Sequence, residues 1–146
     1  MGKDQNCVFC EAKNKKLQKI AEIGTIEIWY PNSPVIMEHV ILIPSRHVEK
    51  IEELSDQEAK DLIVAVRKIV NSFKKLYNTD GFNLFTNEGQ SAGQHIRHIH
   101  FHYFGRSKNE KISPLEILNN QKSYKREKLS DKQIKQLINK IKRAIL

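Results

Sequence analysis

His98-Ile99-His100-Phe101-His102-Tyr103-Phe104 alternates imidazoles with large apolar side chains, and this alternation decides how the chain is read. A period of two marks a β-strand, in which successive side chains point to opposite faces. The strand is expected over residues 95–104. His98, His100 and His102 then share one face, with neighbours about 7 Å apart, while Ile99, Phe101 and Tyr103 share the other. A bland alternative is a row of surface histidines, but the run is internal and interleaved with apolar residues, unlike a terminal affinity tag.

Three chemistries could use such a row: metal binding, acid/base work or nucleophilic attack. Side chains along one straight strand run parallel and do not converge on an ion, so three ligands from this run alone make an awkward metal site. A nucleophile flanked by proton-handling neighbours suits the row better. Neutral imidazole is a competent nucleophile toward phosphorus near its pKa, and the adduct is labile enough to be hydrolysed in a second step.

Working outward, Asn87-Glu88-Gly89-Gln90-Ser91-Ala92-Gly93 reads as a glycine-containing loop, and Phe82-Asn83-Leu84-Phe85-Thr86 before it as a strand. Two more strands are expected at Thr25–Tyr30, ended by Pro31-Asn32-Ser33-Pro34, and at His39–Ile43, an apolar run ended by Pro44 that suggests burial on both faces. Ser55-Asp56-Gln57-Glu58 is a capping box that opens a helix running to about Tyr77. Its apolar stripe of Ala59, Leu62, Ile63, Val66, Ile69, Val70, Phe73 and Leu76 needs something flat to cover. Residues 106–128 show no clear period beyond one helical turn at Pro114–Leu118, and a last helix is expected after Ser130, with Ile134, Leu137, Ile138, Ile141 and Ile145 on one face. The sum is an α+β fold: an antiparallel sheet of about five strands packed by a long helix and a C-terminal helix.

The 146 residues, 39% of them hydrophobic, suit one domain over 1–146, with a core at 7–106 and a basic C-terminal extension at 107–146. No stretch approaches the ~20 apolar residues of a membrane span, and Met1-Gly2-Lys3-Asp4-Gln5-Asn6 lacks a signal-peptide core, so a soluble cytoplasmic protein is expected. The net charge of +8 is unevenly spread. Residues 1–105 carry 13 basic and 13 acidic side chains, whereas residues 106–146 carry 12 and 4. A solvated lysine-rich surface is expected there in preference to specific nucleic-acid binding, with long-range attraction of phosphate-bearing ligands as the functional reading.

Cys7-Val8-Phe9-Cys10 has the spacing of half a zinc site; a redox dithiol and two incidental buried cysteines are the alternatives. The redox reading expects a thioredoxin-like βαβ context, which the following residues do not supply.

The chain resembles the histidine triad (HIT) superfamily of nucleotide hydrolases and transferases, in its zinc-bearing bacterial type. The likeness rests on Gly93-Gln94 followed by His98-Ile99-His100-Phe101-His102-Tyr103-Phe104, on Asn87-Glu88-Gly89, and on His39 leading Val40-Ile41-Leu42-Ile43-Pro44 with His47 after it. It spans about residues 7–106. The resemblance implies His100 as a nucleophile forming a nucleotidyl-imidazole intermediate, His102 as the contact to phosphate and leaving group, and His39 as a polar partner beside them. His98 would be a positioning residue whose backbone fixes the tautomer of His100. Asn87, Gly93 and Gln94 would meet the phosphate, and a structural zinc ion would be held by Cys7, Cys10, His47 and His98. His95 stands where many relatives place a Ser or Thr on the phosphate, and Pro31 where they place a ribose-binding Asp or Asn. Asn32 is the substitute sugar contact and Trp29 a wall of the base pocket.

The expected substrate is a nucleoside phosphoramidate or a related nucleoside monophosphate derivative, with dinucleoside polyphosphate hydrolysis or phosphorolysis as the alternative. A non-catalytic, zinc-stabilised nucleotide- or nucleic-acid-binding module is the rival from another class. A homodimer is implied by the resemblance alone.

Overall fold

The computed structural model describes residues 6–146. The hydrophilic N-terminal stretch lies outside the described residues as far as Gln5. Strands β1 (Lys19–Ile23), β2 (Ile26–Trp29), β3 (His39–Pro44), β4 (Gly81–Phe85) and β5 (Phe101–Arg106) form one antiparallel sheet in the order β1-β2-β3-β5-β4. Four α-helices accompany it among the described residues: α1 (Ala12–Gln18), α2 (Asp56–Tyr77), α3 (Pro114–Asn119) and α4 (Asp131–Ile145). This is the α+β architecture expected from the sequence.

β3 lies at the centre, and all six of its residues are buried. Its alternation divides the molecule. Val40 and Leu42 join Ile28, Phe101 and Tyr103 in the main core, which α2 and α4 cover. Ile41 and Ile43 join Trp29 on the opposite face, where Cys7, Phe9 and Cys10 cover them. The N-terminal Cys-x-x-Cys segment is therefore the lid of the face that carries the histidines.

The expected capping box is present at α2: Ser55 Oγ accepts from Glu58 N at 3.1 Å and Glu58 Oε2 accepts from Ser55 N at 2.8 Å. Arg46 grips the same carboxylate through Nε at 3.0 Å and Nη2 at 2.9 Å. The helix is phased slightly differently from the expected stripe. Ala59 and Ile63 are turned to solvent, and Ala65 and Ser72 are buried in their place. Ser72 fits because its hydroxyl donates to the Lys68 carbonyl at 2.7 Å and to the Ala144 carbonyl of α4 at 3.1 Å. Asn78 ends α2 in the left-handed region at φ 54°, which an asparagine tolerates better than most side chains. The other end of the chain belongs to the same core, since α4 buries Ile134, Ile138, Ile141 and Ile145 against α2 and β1.

Two elements were not read from the sequence, α1 and β1, and one was misplaced. The strand expected over 95–104 begins only at Phe101 and runs to Arg106; residues 95–100 are irregular. β3 and β5 pair from His39↔Phe104 to Leu42↔Phe101. Beyond that pair the Pro44 carbonyl meets the His98 side chain at 2.9 Å, and Ile99 N donates to the Val48 carbonyl at 2.7 Å. A side chain and a loop carbonyl have replaced the ladder, so His98 leaves the strand.

Replacing Ile141, which is fully buried, by Ala should lower the free energy of unfolding by about 3 kcal/mol in urea titrations. A loss under ~1 kcal/mol would show that α4 lies outside the cooperative core. The Arg46 guanidinium holds the Glu58 carboxyl below its ordinary range. A carboxyl depressed by folding stabilises above its unfolded pKa, and that contribution is lost as pH falls through the folded value. Acid denaturation of Glu58→Gln should accordingly show a shallower fall in stability below about pH 5 than the parent protein; identical slopes would refute the assignment.

Candidate active site and metal centre

His39 and His102 come from adjacent strands, β3 and β5: His39 faces Phe104 at one end of their ladder, and His102 faces Ile41 two positions along. His39 Nδ1 accepts from the Val35 backbone N–H at 3.1 Å. Its proton therefore sits on Nε2, which lies 3.0 Å from His102 Nδ1 and donates to it. His102 Nδ1 is thereby an acceptor, leaving its proton on Nε2. His100 has the opposite arrangement: Nδ1 lies 2.9 Å from the His98 carbonyl and can only donate there, so the lone pair is on Nε2. The backbone thus fixes one ring with a free lone pair at Nε2 and, next to it, one with a free N–H at Nε2.

All three imidazoles are held neutral. Burial pushes His102 down to about 4, with His100 and Arg126 adding to the effect. Burial likewise lowers His39 well below its ordinary value, and His102 and Arg126 act in the same direction. His100 is lowered by burial, partly opposed by its bond to the His98 carbonyl. Aromatic rings set the orientations. Phe9 lies against His100 with centroids 5.2 Å apart, and Phe85 stacks on His102 at 5.1 Å with planes 23° apart. Thr86 Oγ1 donates to the His100 carbonyl at 2.6 Å.

His98 faces away from this pair and into a different cluster. Its Nδ1 lies 3.4 Å from Cys7 Sγ and 3.6 Å from Cys10 Sγ, and Cys10 Sγ lies 3.4 Å from His47 Nδ1. One donor atom from each of Cys7, Cys10, His47 and His98 falls within 4.8 Å of every other. A tetrahedral zinc ion, with Zn–S about 2.3 Å and Zn–N about 2.0 Å, separates neighbouring donors by about 3.6 Å, so the residues fit it. His98 Nε2 donates to the Pro44 carbonyl at 2.9 Å, which leaves Nδ1 unprotonated and free to ligate. Burial pushes the Cys7 thiol up to about 11 and His98 down to about 4. Gathered in this way, the four side chains form a Cys2His2 cluster able to bind a metal ion.

The remaining expected site residues are scattered. The Gln94 side chain is occupied in closing its own loop: Oε1 accepts from Gly89 N at 2.8 Å, and Nε2 donates to the Ile96 carbonyl at 3.0 Å. Gly93 adopts φ 84°, a backbone conformation that glycine takes without strain. His95 is exposed and lines, with Gln94, Glu49 and Arg97, a cavity of about 520 Å³ that includes none of His39, His100 and His102. Asn87 is half-buried and Asn32 exposed. Trp29 is 1% exposed, its ring 5.4 Å from that of Phe9 and its Nε1 donating to Glu27 Oε2 at 2.9 Å.

Phe9, Glu27, Val35, Phe85 and Thr86 were not singled out from the sequence. Phe9 lies inside the Cys-x-x-Cys motif, and Glu27 is a carboxylate set in an otherwise apolar strand; both positions stand out in the sequence. Val35 acts through its backbone and left no signal in the side-chain pattern.

Residues 12–109 match the family model for the HIT domain. The chain is 32% identical to a HIT-like protein of Methanocaldococcus jannaschii, over 68% of this chain and 78% of that one. It is 29% identical to adenosine 5'-monophosphoramidase of Schizosaccharomyces pombe, over 66% of this chain and 71% of the relative. With the asymmetrical bis(5'-nucleosyl)-tetraphosphatase of the same yeast it shares 33% identity, over 51% of this chain and 41% of the other. A Zn-bound histidine triad family protein from Mycobacterium smegmatis has the same fold, with TM-score 0.71 and 20% identity, covering 94% of each chain. Sheet order, matched residues and relatives agree, and the chain belongs to the HIT family.

Proposed function

We propose that the protein is a nucleotide hydrolase that cleaves a nucleoside phosphoramidate, or a related nucleoside monophosphate derivative, through a covalent nucleotidyl-histidine intermediate. The observation that carries this reading is the pair of opposite tautomers: a lone pair at His100 Nε2 beside an N–H at His102 Nε2. The first attacks phosphorus and the second donates to a phosphate oxygen as charge builds there. The bond from phosphorus to the leaving group breaks while that from phosphorus to Nε2 forms, and the leaving group takes a proton from water. Water then attacks the same phosphorus, releasing the nucleoside monophosphate and returning neutral His100.

His100 can attack only as the Nε2 base, and its bond to the His98 carbonyl keeps it so. His39 acts at one remove, by holding His102 in the donor tautomer. Asn87 and Gly93 stand as the phosphate contacts of the loop before the histidines, and Gln94 serves by shaping that loop. Zinc in the Cys2His2 cluster is structural: it would pin the N-terminal segment over the histidine face and stiffen the backbone from which His100 takes its tautomer. The yeast monophosphoramidase supports the substrate, and the yeast tetraphosphatase keeps dinucleoside polyphosphates as the alternative within the same chemistry.

His100→Ala should reduce turnover of an adenosine phosphoramidate by about 10⁴-fold or more while nucleotide binding persists. Activity within tenfold of the parent would end the proposal. Removal of metal by a strong chelator should lower the melting temperature by roughly 10 °C, given the few kcal/mol that a tightly bound ligand contributes. Elemental analysis of the untreated protein should find one zinc per chain. A protein free of zinc with an unchanged melting curve under chelation would leave Cys7 and Cys10 without the assigned role.

A further inference from the structure

Every substrate of the proposed reaction is an anion, and a countercharge for it lies outside the stretch that matches the family model. The segment before α4 is fastened to the loop between β2 and β3: Leu129 N donates to the Asn32 carbonyl at 3.0 Å, and Arg126 Nη1 donates to the Ser33 carbonyl at 3.4 Å. Two residues after Ser33, Val35 N donates to His39 Nδ1, and His39 donates on to His102. Arg126 thus stands on the loop that sets the tautomers of both rings. Its field reaches both, since its positive charge is among the causes that disfavour protonating His39 and His102.

The guanidinium is also available. Arg46, Arg97 and Arg106 are tied to Glu58, Glu49 and Glu110, whereas Arg67, Arg126 and Arg143 are exposed and form no ion pair among the described residues; of these three it is Arg126 that is bonded to the β2–β3 loop. A guanidinium carries five N–H donors in a planar fork suited to phosphate oxygens, and the Ser33 carbonyl takes one of them. Arg126 has a backbone contact that positions it and donors left over.

We propose that Arg126 is a substrate-binding residue of the histidine cleft, holding phosphate oxygens beyond the phosphoryl group under attack, so that it favours nucleotides carrying two or more phosphates. This deepens the hydrolase reading and rests on it for the location of the attacked phosphorus. A phosphoramidate monoester brings one negative charge to the cleft, and each further phosphate adds another. Attraction to a fixed cation grows with that number. Arg126 thereby gives the cleft a hold on the dinucleoside polyphosphates that stand as the alternative substrate within the same chemistry.

The test compares the parent with Arg126→Ala and Arg126→Lys on two ligands whose binding needs no turnover: AMP and a methylene-bridged, non-hydrolysable analogue of diadenosine tetraphosphate. Calorimetric titration of Arg126→Ala should show at least a tenfold weaker dissociation constant for the polyphosphate analogue and less than a threefold change for AMP. Arg126→Lys should recover part of the loss. If Arg126 only braces the loop through the Ser33 carbonyl, both ligands weaken by the same factor and the lysine variant recovers nothing; that result, or no change for either ligand, overturns the proposal. Discrimination in binding by a parent protein that hydrolyses neither substrate class would uphold Arg126 and sink the nucleophile assigned to His100 instead.

Discussion

The histidine cleft depends on how His98 is held, because this one residue is engaged on three sides. Its Nδ1 faces the two cysteine sulfurs, its Nε2 donates to the Pro44 carbonyl, and its own carbonyl receives the His100 N–H. The first two contacts leave the ring little freedom, and a fixed ring fixes the peptide that carries the third. Pulling His98 out of the strand is what makes this possible. A regular β residue at that position would direct its carbonyl to the ladder, and His100 would lose the acceptor that places its lone pair outward.

The sheet then divides the work. One face is an apolar core under α2 and α4, and its residues do no chemistry. The other carries the imidazoles, closed over by Phe9 and Cys7–Cys10 from the N-terminus and flanked by Phe85 from β4. Burial among these rings holds the imidazoles neutral, and neutrality is a requirement of the arrangement. A protonated His100 would have no lone pair, and a protonated His102 would have no acceptor for the His39 N–H. Dry walls and backbone bonds together fix the protonation pattern, with no carboxylate needed to orient the rings.

Much of this was legible in the residues. The capping box placed α2, the apolar run placed β3, and the histidine spacing together with the family likeness singled out the two clusters. What escaped has physical reasons. The period of two in 98–104 is real, but its first three residues follow no ladder, because the partner strand ends in a proline whose carbonyl is taken by a side chain. Alternation in sequence does not report where pairing stops. α1 and β1 lie in a lysine-rich stretch with little apolar contrast; both pack against α4, more than a hundred residues away in sequence. The donor to His39 is a backbone amide, invisible in a list of side chains. Gln94 was read as a phosphate contact from its place in a motif, whereas its amide is taken up within its own loop.

The segment between Arg106 and Ser130 leaves the sheet at the end of β5, makes the short α3 and is caught again where Leu129 meets Asn32. Both anchors are fixed, while the path between them crosses the surface and buries little beyond Pro114. Lengthening a surface path of this kind costs about 0.6 kcal/mol per doubling. Insertions and deletions between Arg106 and the stretch that ends at Leu129 are therefore nearly free with respect to the fold, and Arg126 and Leu129 stay held to the β2–β3 loop whatever the length of the path before them. The protein has a part whose length can drift without touching the reacting groups.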